Sequence, residues 1–167
     1  MSKNNSFGSA IVLNLCYILM VIQIVTHKQE QCMKSITVEA IIDNLNTVLD
    51  FVDEELENAG CGMKAQMQIN IAVEELFVNV SHYAYAPATG PITISVNIHD
   101  DPKMAEIVLT DSGIPYDPLE KEDPDVGLSA EEREVGGLGI FMVKKSMDLM
   151  AYEYTNGQNI VTISKYF

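Results

Sequence analysis

The chain has 167 residues, the size of one domain, and 47% of them are apolar, enough for a core of its own. A formal charge of -14, with 10 Lys and Arg against 24 Asp and Glu, argues against direct nucleic-acid binding, which needs clustered cations. Three cysteines without a Cys-x-x-Cys and three scattered histidines give neither a disulfide framework nor a zinc or His-rich metal site.

Ala10 to Val25, "AIVLNLCYILMVIQIV", is apolar but broken by Asn14 and Gln23. It is shorter than the roughly 20 residues of a membrane span. Lys3 precedes it as in a signal peptide, but no small-x-small cleavage site follows. A third reading puts the natural start at Met33. Gln29-Glu30 can be encoded CAG GAG, which contains the purine-rich core of a ribosome-binding site shortly before Met33. The expected division is therefore an apolar extension over 1–32 and a folded domain over 33–167. A membrane contact follows only if residues 10–25 are a genuine anchor; otherwise the chain is expected in the cytoplasm.

Ser35 to Ala40 alternates as a half-buried strand. Asp43 is placed to cap a helix carrying Ile42, Leu45, Val48 or Leu49, Val52 and Leu56, which Gly60 and Gly62 end. A second helix is expected from about Lys64 to Ala84, ended by Pro87 and Gly90. Ile92–Ile98 and Ala105–Thr110 read as paired strands around the polar turn "HDDPK". A loop follows over 115–135, then a helix over about Ile140–Met147. Two last strands, near Ala151–Thr155 and Asn159–Tyr166, join through "NGQ", a hairpin signal. The order predicts an α/β fold: a two-layer sandwich of a mixed, mainly antiparallel sheet with helices on one face.

Three stretches carry chemistry. On the second helix Gln68, Glu75, Asn79 and His82 fall on one line. Alone, such a stripe is as well explained by a solvent face. Its carboxylate and amide, one turn apart, also suit a magnesium ion, and the carboxylate suits a general base for a hydroxyl. "VLTDSGIPYDP" ends a strand at Asp111, and Gly113 and Pro115 shape the turn after it. An Asp there can accept from an exocyclic amine, with Gly113 letting a flat ring approach the backbone. "VGGLGIFMVKKSMD" opens a helix with Gly136, Gly137 and Gly139, where exposed N–H groups favour phosphate. It lacks the Gly-Lys-Ser/Thr ending of a P-loop.

In this order, followed by a strand carrying Thr162, the three stretches resemble the GHKL (Bergerat-fold) ATPase superfamily over about residues 34–167. "AVEELFVN" and "GGLGIFMVKKSMD" are similar to its anti-sigma factor serine/threonine kinase branch. The resemblance implies an ATP- and Mg²⁺-dependent kinase, with Glu75 as catalytic base and Asn79 holding Mg²⁺. It implies Asp111, Gly113 and Pro115 around adenine, Gly137 and Gly139 on the phosphates, and Thr162 supporting the adenine pocket. Implied partners are a sigma factor and a STAS-type anti-anti-sigma protein, with the chain a homodimer. His82 follows the Asn as in relatives but is expected only to pack or cap.

Two features depart from the pattern. Relatives commonly place an Arg just before or within the glycine turn, where this chain has Val135 and Gly136. The stretch Asp117 to Glu134, where the superfamily keeps its ATP lid, carries eight carboxylates against Lys121 and Arg133. Lys144 and Lys145 are expected on a solvated helix face. The competing function is a nucleotide-gated protein-binding module without phosphotransfer; Glu75 favours the kinase.

Overall fold

Strand alternation and helical spacing, laid out in chain order, build one sheet and one layer of helices. A computed structural model describes residues 33–120 and 138–167. The expectations for residues 1–32, for Gly136 and Gly137, and for most of the acidic stretch lie outside the described residues.

β1 (Lys34–Glu39) leads through a single 3₁₀ turn (Ile42–Asn44) into α1 (Leu45–Asn58). Asp43 falls inside that turn rather than at the helix cap, and the Asn44 amide donates to the Glu39 carbonyl at 2.9 Å, tying the turn to β1. Gly60, at φ +71°, ends α1 in the left-handed region that glycine tolerates best. α2 (Met63–Asn79) runs on into a π-helical turn, Val80–Ala84. The hairpin of β2 (Pro91–Asp100) and β3 (Lys103–Asp111) follows. α3 spans Leu138–Ser146, and β4 (Leu149–Thr155) and β5 (Gln158–Tyr166) close the chain. Asn156 and Gly157 both have positive φ, 53° and 79°, the conformation that a two-residue hairpin loop requires.

The sheet order is β1-β2-β3-β5-β4, and every pairing is antiparallel. The mixed sheet expected from the sequence is therefore wholly antiparallel among the described residues, because each neighbouring pair runs in opposite directions. Pleating sends Ile92, Ile94 and Val96 of β2, Ile107 and Leu109 of β3, and Ile163 of β5 to one face. There they meet Val48, Val52 and Leu56 of α1, Val73 and Phe77 of α2, and Ile140 and Val143 of α3 in one apolar cluster. Phe77 is fully buried, so truncating it to Ala would cost about 3–5 kcal/mol. α1 and α2 are also joined by polar contacts: Asp53 Oδ1 accepts from Gln66 at 2.6 Å and from Asn70 at 2.8 Å. Among the described residues no helix is long and apolar enough to cross a membrane.

Candidate functional site

A cavity of about 480 Å³ lies between the helix layer and the sheet. Its helix wall is made by Glu75, Leu76 and Asn79 of α2, by Tyr83 and Ala84 of the π turn, and by Leu138 and Gly139 opening α3. Its sheet wall is made by Leu109 and Asp111 of β3 and by Asn159 and Val161 of β5. The segment after β3 adds Ile114, Pro115 and Tyr116.

Glu75 and Asn79 share the cavity wall because they are four residues apart in regular α-helix. His82 does not continue their line. The π turn that begins at Val80 is wider than an α turn and carries later residues around the axis. His82 is exposed, its ring edge-on to Tyr83 at 5.8 Å, and Tyr83 faces the cavity in its place. Gln68 is not among the lining residues either. Glu75 and Gly139 meet directly: a methyl group on Gly139 would fall on the Glu75 carboxylate. A side chain at 139 would therefore expel Glu75 from its position.

Asp111 is 7% exposed at the end of β3. Its Oδ1 accepts from the Gly113 N–H at 2.8 Å and from the Asn159 amide at 2.9 Å. Oδ2 has no partner among the described residues, so the carboxylate offers one acceptor to the cavity. Gly113 is not a lining residue. Its bare Cα is used against the π turn, where any Cβ would strike the Ala84 carbonyl, and Ile114 N–H donates to that carbonyl at 2.8 Å. The Tyr85 hydroxyl steadies the same segment, donating to the Pro91 carbonyl at 2.6 Å and accepting from the Ser112 N–H at 2.7 Å. Burial pushes the Tyr85 phenol up from its ordinary range.

Thr162 is not brought to the site. Its register, opposite Val108 and Ala151, places it on the sheet face away from the helices, between Val161 and Ile163, which point inward. The residue that backs Asp111 is Asn159, its direct cross-strand partner. The two positions are three apart, an odd shift, and an odd shift along a strand exchanges the faces. Lys144 is also not a purely solvated side chain: half-buried, it donates to the Leu119 carbonyl at 3.2 Å. Lys145 is exposed and lies over the Phe141 ring at 5.1 Å.

Among the described residues the cavity lining includes two carboxylates, Glu75 and Asp111, and no Lys or Arg. A polyphosphate placed here needs positive charge from elsewhere, which a divalent cation beside Asn79 would supply. Among the described residues no three His, Cys, Asp or Glu side chains converge to cage a metal by themselves. An ion held by one amide, water and the ligand's own phosphates is the arrangement this donor set fits.

A family model for the histidine kinase-like ATPase domain matches residues 38–165. The chain belongs to that family. Serine-protein kinase RsbW of Listeria monocytogenes serovar 1/2a is 32% identical over 113 residues, 65% of this chain and 70% of that protein. Serine/threonine-protein kinase BtrW of Bordetella bronchiseptica is 20% identical over 103 residues, 62% and 72% of the two chains. The crystal structure of the RsbU and RsbW domains of Rv1364c from Mycobacterium tuberculosis superposes with a TM-score of 0.58 at 18% identity. The match covers 81% of this chain and 32% of that one, and at this identity it shows a shared fold. The resemblance to GHKL ATPases of the anti-sigma factor kinase branch is thus a true kinship, and an ATP-using, kinase-type family frames the cavity. The cavity residues that sequence reasoning missed include Asn159, Val161, Tyr83 and Tyr116. Only Asn159 had a signal within reach: it follows the Asn-Gly turn on the strand that the motif order had already singled out.

Proposed function

We propose that this protein is an ATP-dependent anti-sigma regulatory factor of the cytoplasm. It sequesters a sigma factor, acts as a homodimer, and phosphorylates a serine of a STAS-type anti-anti-sigma partner. The observation that carries the reading is the meeting of Glu75, Asn79 and Asp111 on the walls of one cavity. Asp111 accepts from the adenine amine, and Pro115 forms part of the pocket around the ring. Gly113 closes the loop onto the π turn so that Asp111 and Pro115 keep their places. Gly137 and Gly139 serve the phosphates. Asn79 holds Mg²⁺, which supplies positive charge to the phosphates when bound. Glu75 takes the proton of the partner's serine hydroxyl; the serine oxygen bonds the γ-phosphorus, the bond to the β-phosphate oxygen breaks, and ADP leaves.

The test uses a partner recovered by pull-down with ATP and with ADP, followed by a phosphorylation assay. Glu75→Gln keeps the shape of the side chain and removes its basicity. Phosphotransfer is expected to fall by about 10²–10⁴-fold, the usual contribution of a general base. ATP affinity should change little. Equal phosphorylation by variant and wild type removes Glu75 from the mechanism. A wild type that captures a partner with ATP but never phosphorylates it favours the second reading, a nucleotide-gated binding module. Val135 and Gly136, standing where relatives carry an Arg, are what keep that reading alive.

A further inference from the structure

Asn159 uses the whole hydrogen-bonding capacity of its side chain. Nδ2 donates to Asp111 Oδ1 at 2.9 Å and to the Ile114 carbonyl at 3.1 Å. Oδ1 accepts from the Tyr116 N–H at 3.2 Å and from the Tyr152 hydroxyl at 2.8 Å. Turning the amide over would set its oxygen against a carboxylate and a carbonyl, and its NH₂ against a backbone N–H. The partners therefore dictate one orientation. Asn159 is 4% exposed, so water cannot replace a bond that is lost. Tyr152 is on β4 and is not among the cavity-lining residues; its hydroxyl closes the set from the neighbouring strand.

This arrangement constrains Asp111. Oδ1 is occupied twice, by Gly113 N–H and by Asn159, and Oδ2 is left to the cavity as an acceptor only. A 6-amino purine presents a donor there. A 6-oxo purine presents oxygen lone pairs to a carboxylate, a repulsive pairing that rejects the wrong base. A 6-oxo purine can present its N1–H instead only by shifting in the pocket, and the carboxylate can follow it only by breaking both buried bonds. The same amide grips Ile114 and Tyr116, two lining residues two apart, so the wall beside the base is tied to the same point.

We propose that Asn159, backed by the Tyr152 hydroxyl, is the positioning residue through which the cavity distinguishes 6-amino from 6-oxo purine nucleotides. Selectivity then belongs to the network of Asp111, Asn159, Tyr152 and the Gly113–Tyr116 segment, not to one carboxylate. The inference rests on the reading of the cavity as an ATP site.

ATP and ITP share ribose and triphosphate and differ at the purine 6-position, so the ratio of their affinities isolates base reading from general damage. The full chain is titrated with each in Mg²⁺ buffer, beside a thermal melt. Asn159→Leu is expected to lower the ATP-to-ITP preference by about tenfold or more, the equivalent of one buried hydrogen bond to a charged group. Tyr152→Phe, which removes one oxygen and keeps the ring, should lower the preference in the same direction by about two- to fivefold. An unchanged ratio in a folded Asn159→Leu overturns the proposal, as does a parallel loss of both affinities; Asn159 would then be only a loop staple. If Asn159→Leu fails to fold, Tyr152→Phe decides, and an unchanged ratio there overturns the proposal. A wild type that binds neither nucleotide overturns the ATP-site reading itself, whereas one that binds both equally overturns only the inference.

Discussion

The two walls of the cavity are built by different means. On the sheet wall, Asp111 and Asn159 stand opposite each other in adjacent strands, and Asn159 has a partner for every polar atom of its side chain. On the helix wall, Glu75 and Asn79 have no side-chain hydrogen bond among the described residues, and Glu75 rests on the bare Cα of Gly139. The sheet wall thus has its polar groups tied together, while the helix wall has groups left uncommitted. That division suits the proposed ATP-dependent protein kinase: base reading gains from preorganisation, and a metal and phosphates need groups not already committed to protein partners.

The sharpest way to break the comparison is Gly139→Ala. The new methyl falls on the flexible end of Glu75, so the carboxylate turns away at small cost to the fold. Phosphotransfer is expected to drop by about 10²-fold or more, toward the level of Glu75→Gln, because both remove the base. Melting temperature should stay near wild type; normal phosphotransfer in the variant would dissociate Glu75 from Gly139. On the sheet wall the corresponding change is Asp111→Asn. Losing a charged acceptor in a buried site costs about 1.5–3 kcal/mol, so ATP affinity measured by calorimetry should fall roughly tenfold or more. Wild-type affinity would show that the sheet wall does not read the base.

Asn79→Ala probes the free valence on the helix wall. The variant should fold normally and lose the magnesium dependence of ATP binding, with affinity in Mg²⁺ buffer reduced by about two- to tenfold, one ordinary polar contact. An unaltered magnesium response assigns Asn79 to the surface. The smallest effect concerns the phenols that steady the sheet side. Burial raises both Tyr85 and Tyr152 above the ordinary phenol value. A folded-state acid with a raised pKa keeps its proton longer than the unfolded chain does, so stability is whole below about pH 10 and declines as pH rises beyond it. Denaturant midpoints at pH 8 and pH 11 should show that decline, and Tyr85→Phe should lessen it. An equal decline in the variant would locate the alkaline sensitivity elsewhere.

Much of this molecule is readable from the chain. Alternation in "ITISVNI", the spacing of Val48, Val52 and Leu56, and the Asn156-Gly157 turn set the strands, the buried helix face and the last hairpin, because each depends on residues within a few positions. The same holds for Glu75 with Asn79, which regular helix brings to one side, and for Asp111 with its turn. What sequence could not decide was the partner of Asp111. That depends on the register between β3 and β5, which pairs residue 111 with 159 and turns Thr162 to the other face. It also could not decide the fate of His82, since the switch to a π turn after Asn79 follows from packing. Nor could it tell that Gly139 makes room for Glu75 and Gly113 for the π turn, because both contacts join segments far apart in the chain. Local periodicity is written in neighbouring residues; register and close approach are decided only when distant segments compete for the same space.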